Sequence, residues 1–168
     1  ADWVTNFGQS DDQAVWNFTS YALQQNPNTR IGLAMPWSDF PEDYEDATEH
    51  RNATDQAYPL WKSMASRLSS DFNNTDVFTF YHGAAAYELR EMFEAGNLSD
   101  VNQLRGPSAT SLFTDQKGHA GQIVKDLGTL LWLAAIHGVD PMTMPEFTQY
   151  DTDIRLIARA ILDEQTVN

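Results

Sequence analysis

FTDQKGHAGQIVKDLGTLLWLAAIHGVDP, residues 113–141, sets an Asp, a Gly and a His in a polar turn directly before a long apolar run. From Ile123 to His137 the residues Val124, Leu127, Leu130, Leu131, Leu133, Ala134 and Ile136 leave little polar face, which predicts a helix packed deep in the fold. Gly138 suits the position just past the helix end, and Pro141 forbids continuation. A buried helix holds its N-terminal end still, and Asp115 and His119 lie in the turn just ahead of that end. An imidazole that titrates near ~6.5 can take and return a proton at neutral pH, and a carboxylate can hold its tautomer. The two residues are therefore candidates for a general base, His119, and its orienting group, Asp115. The competing reading is a capped turn in which either side chain bonds the backbone ahead of the helix.

Upstream of this stretch, short apolar runs alternate with helical patterns. Residues 3–7 read as a buried strand that enters the turn Gly8, Gln9, Ser10, Asp11, Asp12. Ala14, Val15, Phe18, Tyr21 and Ala22 then recur at helical spacing, predicting an amphipathic helix over 12–25. Residues 31–37 form a second apolar run, and the acidic stretch 38–52 reads as a surface loop at its C-terminal edge. A helix over about 54–72 puts Leu60, Trp61, Met64 and Leu68 inward, with Pro59 near the start of its regular part. Residues 77–81 form the third run, His82 and Gly83 a turn, and 84–95 a helix ended by Gly96. The stretch 97–114 reads as irregular, and 153–164 as a closing helix with Ile154, Ile157 and Ile161 on one side.

Strands alternating with helices predict a single α/β domain over 1–168, a three-layer α/β/α sandwich with 3–7, 31–37 and 77–81 in one parallel sheet. Right-handed crossovers would bring Gly8, Trp37 and His82 to one sheet edge together with the 115–119 turn. There Trp37, beside the acidic loop, is either a platform for a sugar ring or a core residue. His82 either reaches a substrate or is a satisfied strand-end histidine, and His137 interacts with its helix dipole.

Composition narrows the partners. A formal charge of −14 opposes binding to nucleic acid or to an anionic membrane surface, so a neutral or cationic partner is expected. The absence of Cys excludes disulfides, thiolate metal sites and a Cys nucleophile. It leaves the compartment open, with a lean toward a secreted or periplasmic location. No cofactor motif is present, and Asp115, His119 and His82 lack the spacing of a known metal site.

The order of these parts resembles the C-terminal two-thirds of an SGNH (GDSL-like) hydrolase, a flavodoxin-like α/β fold of esterases, lipases and carbohydrate deacetylases. The segments VFTFYHGAAAYELREMF, LFTDQKGHAGQ and IVKDLGTLLWLAAIHG match the family's last strand and helix, its Asp and His loop, and its closing helix. The resemblance implies a serine ester hydrolase acting on a small-molecule or carbohydrate ester, with Asp115 orienting and His119 as base. Two features depart from the pattern. Three residues, rather than the usual two, separate Asp115 from His119, and no G-D-S nucleophile turn occurs.

The turn from Gly8 to Ser10 then admits two assignments. Ser10 is the nucleophile, with Gln9 in place of the usual Asp, or Gln9 and Ser10 contribute to an oxyanion hole at the end of the middle strand. The strand count favours the second assignment. It places the first two strands and the nucleophile upstream of Ala1, and leaves the sheet of this chain incomplete. The alternatives are a non-catalytic SGNH-like binding module and a metal-dependent hydrolase.

Overall fold

The structure is a computed structural model that describes residues 13–73 and 75–167. The expected strand at 3–7 and the turn with Gly8, Gln9 and Ser10 lie outside the described residues. The chain is mixed α/β and mainly helical, with two short parallel two-stranded sheets among the described residues. It divides into two compact units, one of residues 13–35 with 55–80 and the other of 36–54 with 81–167.

The first unit holds α1 (Gln13–Gln25), β1 (Ile31–Ala34), α3 (Tyr58–Asp71) and β2 (Val77–Phe80). β1 and β2 pair in parallel, with Ile31 opposite Val77 and Ala34 opposite Phe80. The pairing agrees with the parallel expectation, because α3 supplies the crossover that parallel neighbours require. β1 stops three residues short of Trp37, since Pro36 has no N–H to continue the ladder. α3 buries Trp61, Met64, Ala65 and Leu68, with Pro59 in its first turn, where a missing N–H costs nothing. α1 departs from its expected orientation. Phe18 is 75% and Tyr21 64% exposed, whereas Thr19 is buried and Val15 and Ala22 are half-buried, so the two aromatic members of the predicted inner stripe face outward.

The second unit holds α2 (Ala47–Asp55), α4 (Ala84–Glu94), β3 (Gln103–Arg105), β4 (Ser111–Phe113), α5 (Gln122–His137) and α6 (Ile154–Val167). Its core joins Ala85, Leu89, Leu112, Phe113, Val124, Leu127, Leu131 and Ile154. α5 is buried from Ile123 through Leu131, and Gly138 ends it with a left-handed φ of 65°. Its last turns emerge instead of staying deep, with Trp132 42% and Ile136 39% exposed. Two further expectations are corrected. The stretch 97–114 contains the parallel pair β3–β4, and the acidic stretch 38–52 contains most of α2.

α2 starts where Asp46 accepts the Glu49 N–H and the Glu49 carboxylate accepts the Glu45 N–H. This is close to a capping box, whose D-x-x-E signature the sequence carries at Asp46 and Glu49. α6 is tied down at its first turn by Arg155, which donates to both oxygens of Asp153, to Glu146 and to the Met144 carbonyl.

Candidate functional site

β4 is buried along its whole length and delivers the chain to Thr114 at the mouth of the turn. The turn is closed from both sides. Thr114 donates its N–H to the His119 carbonyl at 2.7 Å, Gly121 donates to Leu112 at 2.6 Å, and Phe113 bridges Ala120. Inside the loop, Asp115 Oδ1 accepts the Gly118 N–H at 3.1 Å and the His119 N–H at 3.2 Å. The other carboxylate oxygen, Oδ2, meets His119 Nδ1 at 2.5 Å. Asp115 and His119 therefore form a hydrogen-bonded pair, with side chains 48% and 68% exposed.

The hydrogen bond from His119 holds the Asp115 carboxyl below the usual carboxylate range, with the backbone N–H of His119 as the second cause. An ionised carboxylate only accepts hydrogen bonds, so in the neutral form of the ring the proton lies on Nδ1 and the Nε2 lone pair is left for another group. That is the tautomer a general base needs. Gly118, inside the turn, takes a φ of +95°. A Cβ there would lie 2.6 Å from Pro41 Cδ, so Gly118→Ala combines backbone strain with a contact that must give. Its expected cost is about 1–3 kcal/mol, read by urea unfolding; a variant as stable as the parent would show that the turn adapts freely.

The segment after β1 grips the turn from outside. Trp37 Nε1 donates to the Gly118 carbonyl at 2.9 Å, and Phe40 N donates to the Lys117 carbonyl at 3.0 Å. Trp37 also packs against His82, with ring centroids 5.3 Å apart, and against Phe113 at 6.4 Å. Gly83 lets this happen, because a Cβ there would lie 2.7–2.8 Å from the backbone of Pro36 and Trp37. His82 accepts the Trp132 indole N–H on Nδ1 at 3.1 Å, and burial lowers its pKa. It is a satisfied, uncharged ring wedged between Trp37 and Trp132.

Contacts that sequence reasoning passed over hold that segment. Arg90 on α4 is buried and donates to Glu94 at 2.6 Å, to the Pro41 carbonyl at 2.6 Å and to the Tyr44 carbonyl at 3.0 Å. Glu94 in turn accepts the Ala47 N–H at 2.8 Å. His50 on α2 is fully buried, with Nε2 3.1 Å from the Ser38 carbonyl and its ring stacked on Tyr44. Thr54, one turn further on, accepts the Ser38 N–H at 3.1 Å. Arg90 carries no sequence signal of this role, because the carbonyls it holds, those of Tyr44 and Pro41, lie 46 and 49 residues away. For His50 and Thr54, their spacing on a helix begun by the D-x-x-E signature was the available clue.

Among the described residues no three His, Asp or Glu side chains are grouped to hold a metal ion. No helix among them is long and apolar enough to cross a membrane. Comparisons of the chain with protein-family models, curated proteins and solved structures yield no match.

Proposed function

We propose that the chain is a serine ester hydrolase of the SGNH type, with His119 as base and Asp115 orienting it, acting on a small-molecule or carbohydrate ester. The observation that carries this reading is the 2.5 Å contact of His119 Nδ1 with a carboxylate whose other oxygen is anchored by two backbone N–H groups, while the ring stays exposed. In this reading Nε2 of His119 takes the proton of a serine hydroxyl as that oxygen bonds to the ester carbonyl carbon. Asp115 stabilises the resulting imidazolium, which returns the proton to the departing alkoxide. Water then repeats the cycle on the acyl-enzyme and releases the acid. Ser10 is the nucleophile in this reading, or with Gly8 and Gln9 it contributes to the oxyanion hole. The reading includes the finer architecture, in which β1, β2 and residues 3–7 are neighbours in the parallel sheet of a three-layer sandwich. Export from the cytoplasm, as a secreted or periplasmic protein, completes it.

One feature of the site favours a second reading, a non-catalytic binding module. Asp115 Oδ1 closes its own turn by accepting Gly118 and His119 N–H groups, which explains an Asp and His at this spacing without chemistry. Hydrolysis of a short-chain aryl ester and an acetylated sugar separates the two. His119→Ala should lower the rate by about 10²–10⁴-fold while the exposed site keeps the fold intact. An active variant would remove His119 as base, and an inactive full-length gene product would favour the module.

A further inference from the structure

We infer that Trp37 is a positioning residue for the His119 base, acting through the Gly118 carbonyl; the inference rests on the ester-hydrolase reading of the pair. The pair is largely exposed, and a freely rotating imidazole would spend little time on Asp115. What restricts it is the backbone on either side of Gly118, because both peptide planes there are held at each end. The plane between Lys117 and Gly118 is held by Phe40 N on the Lys117 carbonyl and by Asp115 on the Gly118 N–H. The plane between Gly118 and His119 is held by the Trp37 indole on the Gly118 carbonyl and by Asp115 Oδ1 on the His119 N–H.

The indole is therefore the outer restraint on the same peptide whose N–H orients the carboxylate. Without it that plane can rotate about Gly118, whose φ of +95° is stabilised by no side chain of its own. Rotation carries the His119 N–H away from Oδ1 and loosens the contact with Nδ1. The indole is itself fixed by packing on His82 and Phe113, so it restrains and does not follow. The backbone of Phe40 supports the same conclusion. It sits in the left-handed region, φ 58° and ψ 59°, a conformation that is strained for a residue with a side chain, and delivers its N–H to the Lys117 carbonyl. Strain of that kind persists only where the surroundings impose it.

The test replaces Trp37 by benzothienylalanine, which keeps the ring shape and removes the N–H donor, with Trp37→Phe as the genetically simple companion. Two readouts are needed: turnover of an aryl acetate and the NMR titration of the Asp115 carboxyl carbon. Expected are a kcat lower by about 10–100-fold with KM within about twofold, and an Asp115 midpoint moved up toward the ordinary carboxylate range. A benzothienylalanine variant with parental kcat and an unmoved Asp115 titration would overturn the inference, since shape alone would then suffice. If the parent hydrolyses no ester, the proposed activity fails, and the Asp115 titration by itself still upholds or refutes the positioning role.

Discussion

Arg90→Ala should destabilise the chain by about 2–4 kcal/mol, because a buried guanidinium that serves two carbonyls and the partly exposed Glu94 is removed. Arg90 is 2% exposed, and its guanidinium serves Glu94, the Pro41 carbonyl and the Tyr44 carbonyl at once. Loss of the side chain leaves both carbonyls without their donor and leaves Glu94 facing the Ala47 N–H alone. For a domain with a total stability of about 5–15 kcal/mol, this is a large fraction. Arg90→Lys should recover only part of it, because an ammonium has no planar fork with which to reach three acceptors. Equilibrium urea unfolding of the three proteins measures the effect. A loss under ~1 kcal/mol for Arg90→Ala would mean that the 41–47 segment is held by other contacts. The same variants should weaken any activity, since the segment that Arg90 anchors carries Phe40 and Pro41 to the turn.

The second large effect is acid sensitivity through His50. Its Nε2 faces the Ser38 carbonyl, which only accepts, so Nε2 carries the proton; buried Nδ1 has no partner among the described residues. Burial is the largest cause that lowers the His50 pKa from 6.5 to about 4, and the charge of Arg90 adds to it. The Ser38 hydrogen bond and the charge of Glu94 oppose the shift without cancelling it. Between those pH values the unfolded chain binds a proton that the folded chain does not. Stability is therefore full above pH ~6.5 and falls as the pH drops toward 4, by about 3 kcal/mol at ~1.4 kcal/mol per pKa unit. The comparison is urea unfolding at pH 7 and pH 4.5 for the parent and for His50→Gln, which keeps an N–H donor and does not titrate. The parent should lose more stability than the variant. Parallel losses would show that other groups, chiefly the carboxylates, cause the acid sensitivity.

The sequence alone determined those parts of the molecule whose causes are local. α5 runs from Gln122 to His137 because its apolar spacing is long and regular and Gly138 and Pro141 end it. β1 and β2 were legible as apolar runs, and their parallel pairing followed from the length of the helical crossover. Asp115 and His119 share one turn by sequence proximity, and a Gly within it was legible as the residue able to take a positive φ.

Tertiary structure decided the rest. α2 was hidden in an acidic stretch because its buried face is Ala47, His50 and Thr54, and the last two are polar residues hydrogen-bonded to Ser38. Apolar periodicity cannot detect such a face. β3 and β4 span three residues each, too few to show a period of two. The outward orientation of Phe18 and Tyr21 on α1 reverses a pattern that counted apolar residues without knowing what lay opposite them. Whether Trp37 packs or projects was equally undecidable in one dimension, because its hydrogen-bond partner Gly118 is 81 residues away. Contacts at that separation form only when the fold closes, and through them Trp37, Phe40 and Arg90 hold the turn that carries Asp115 and His119.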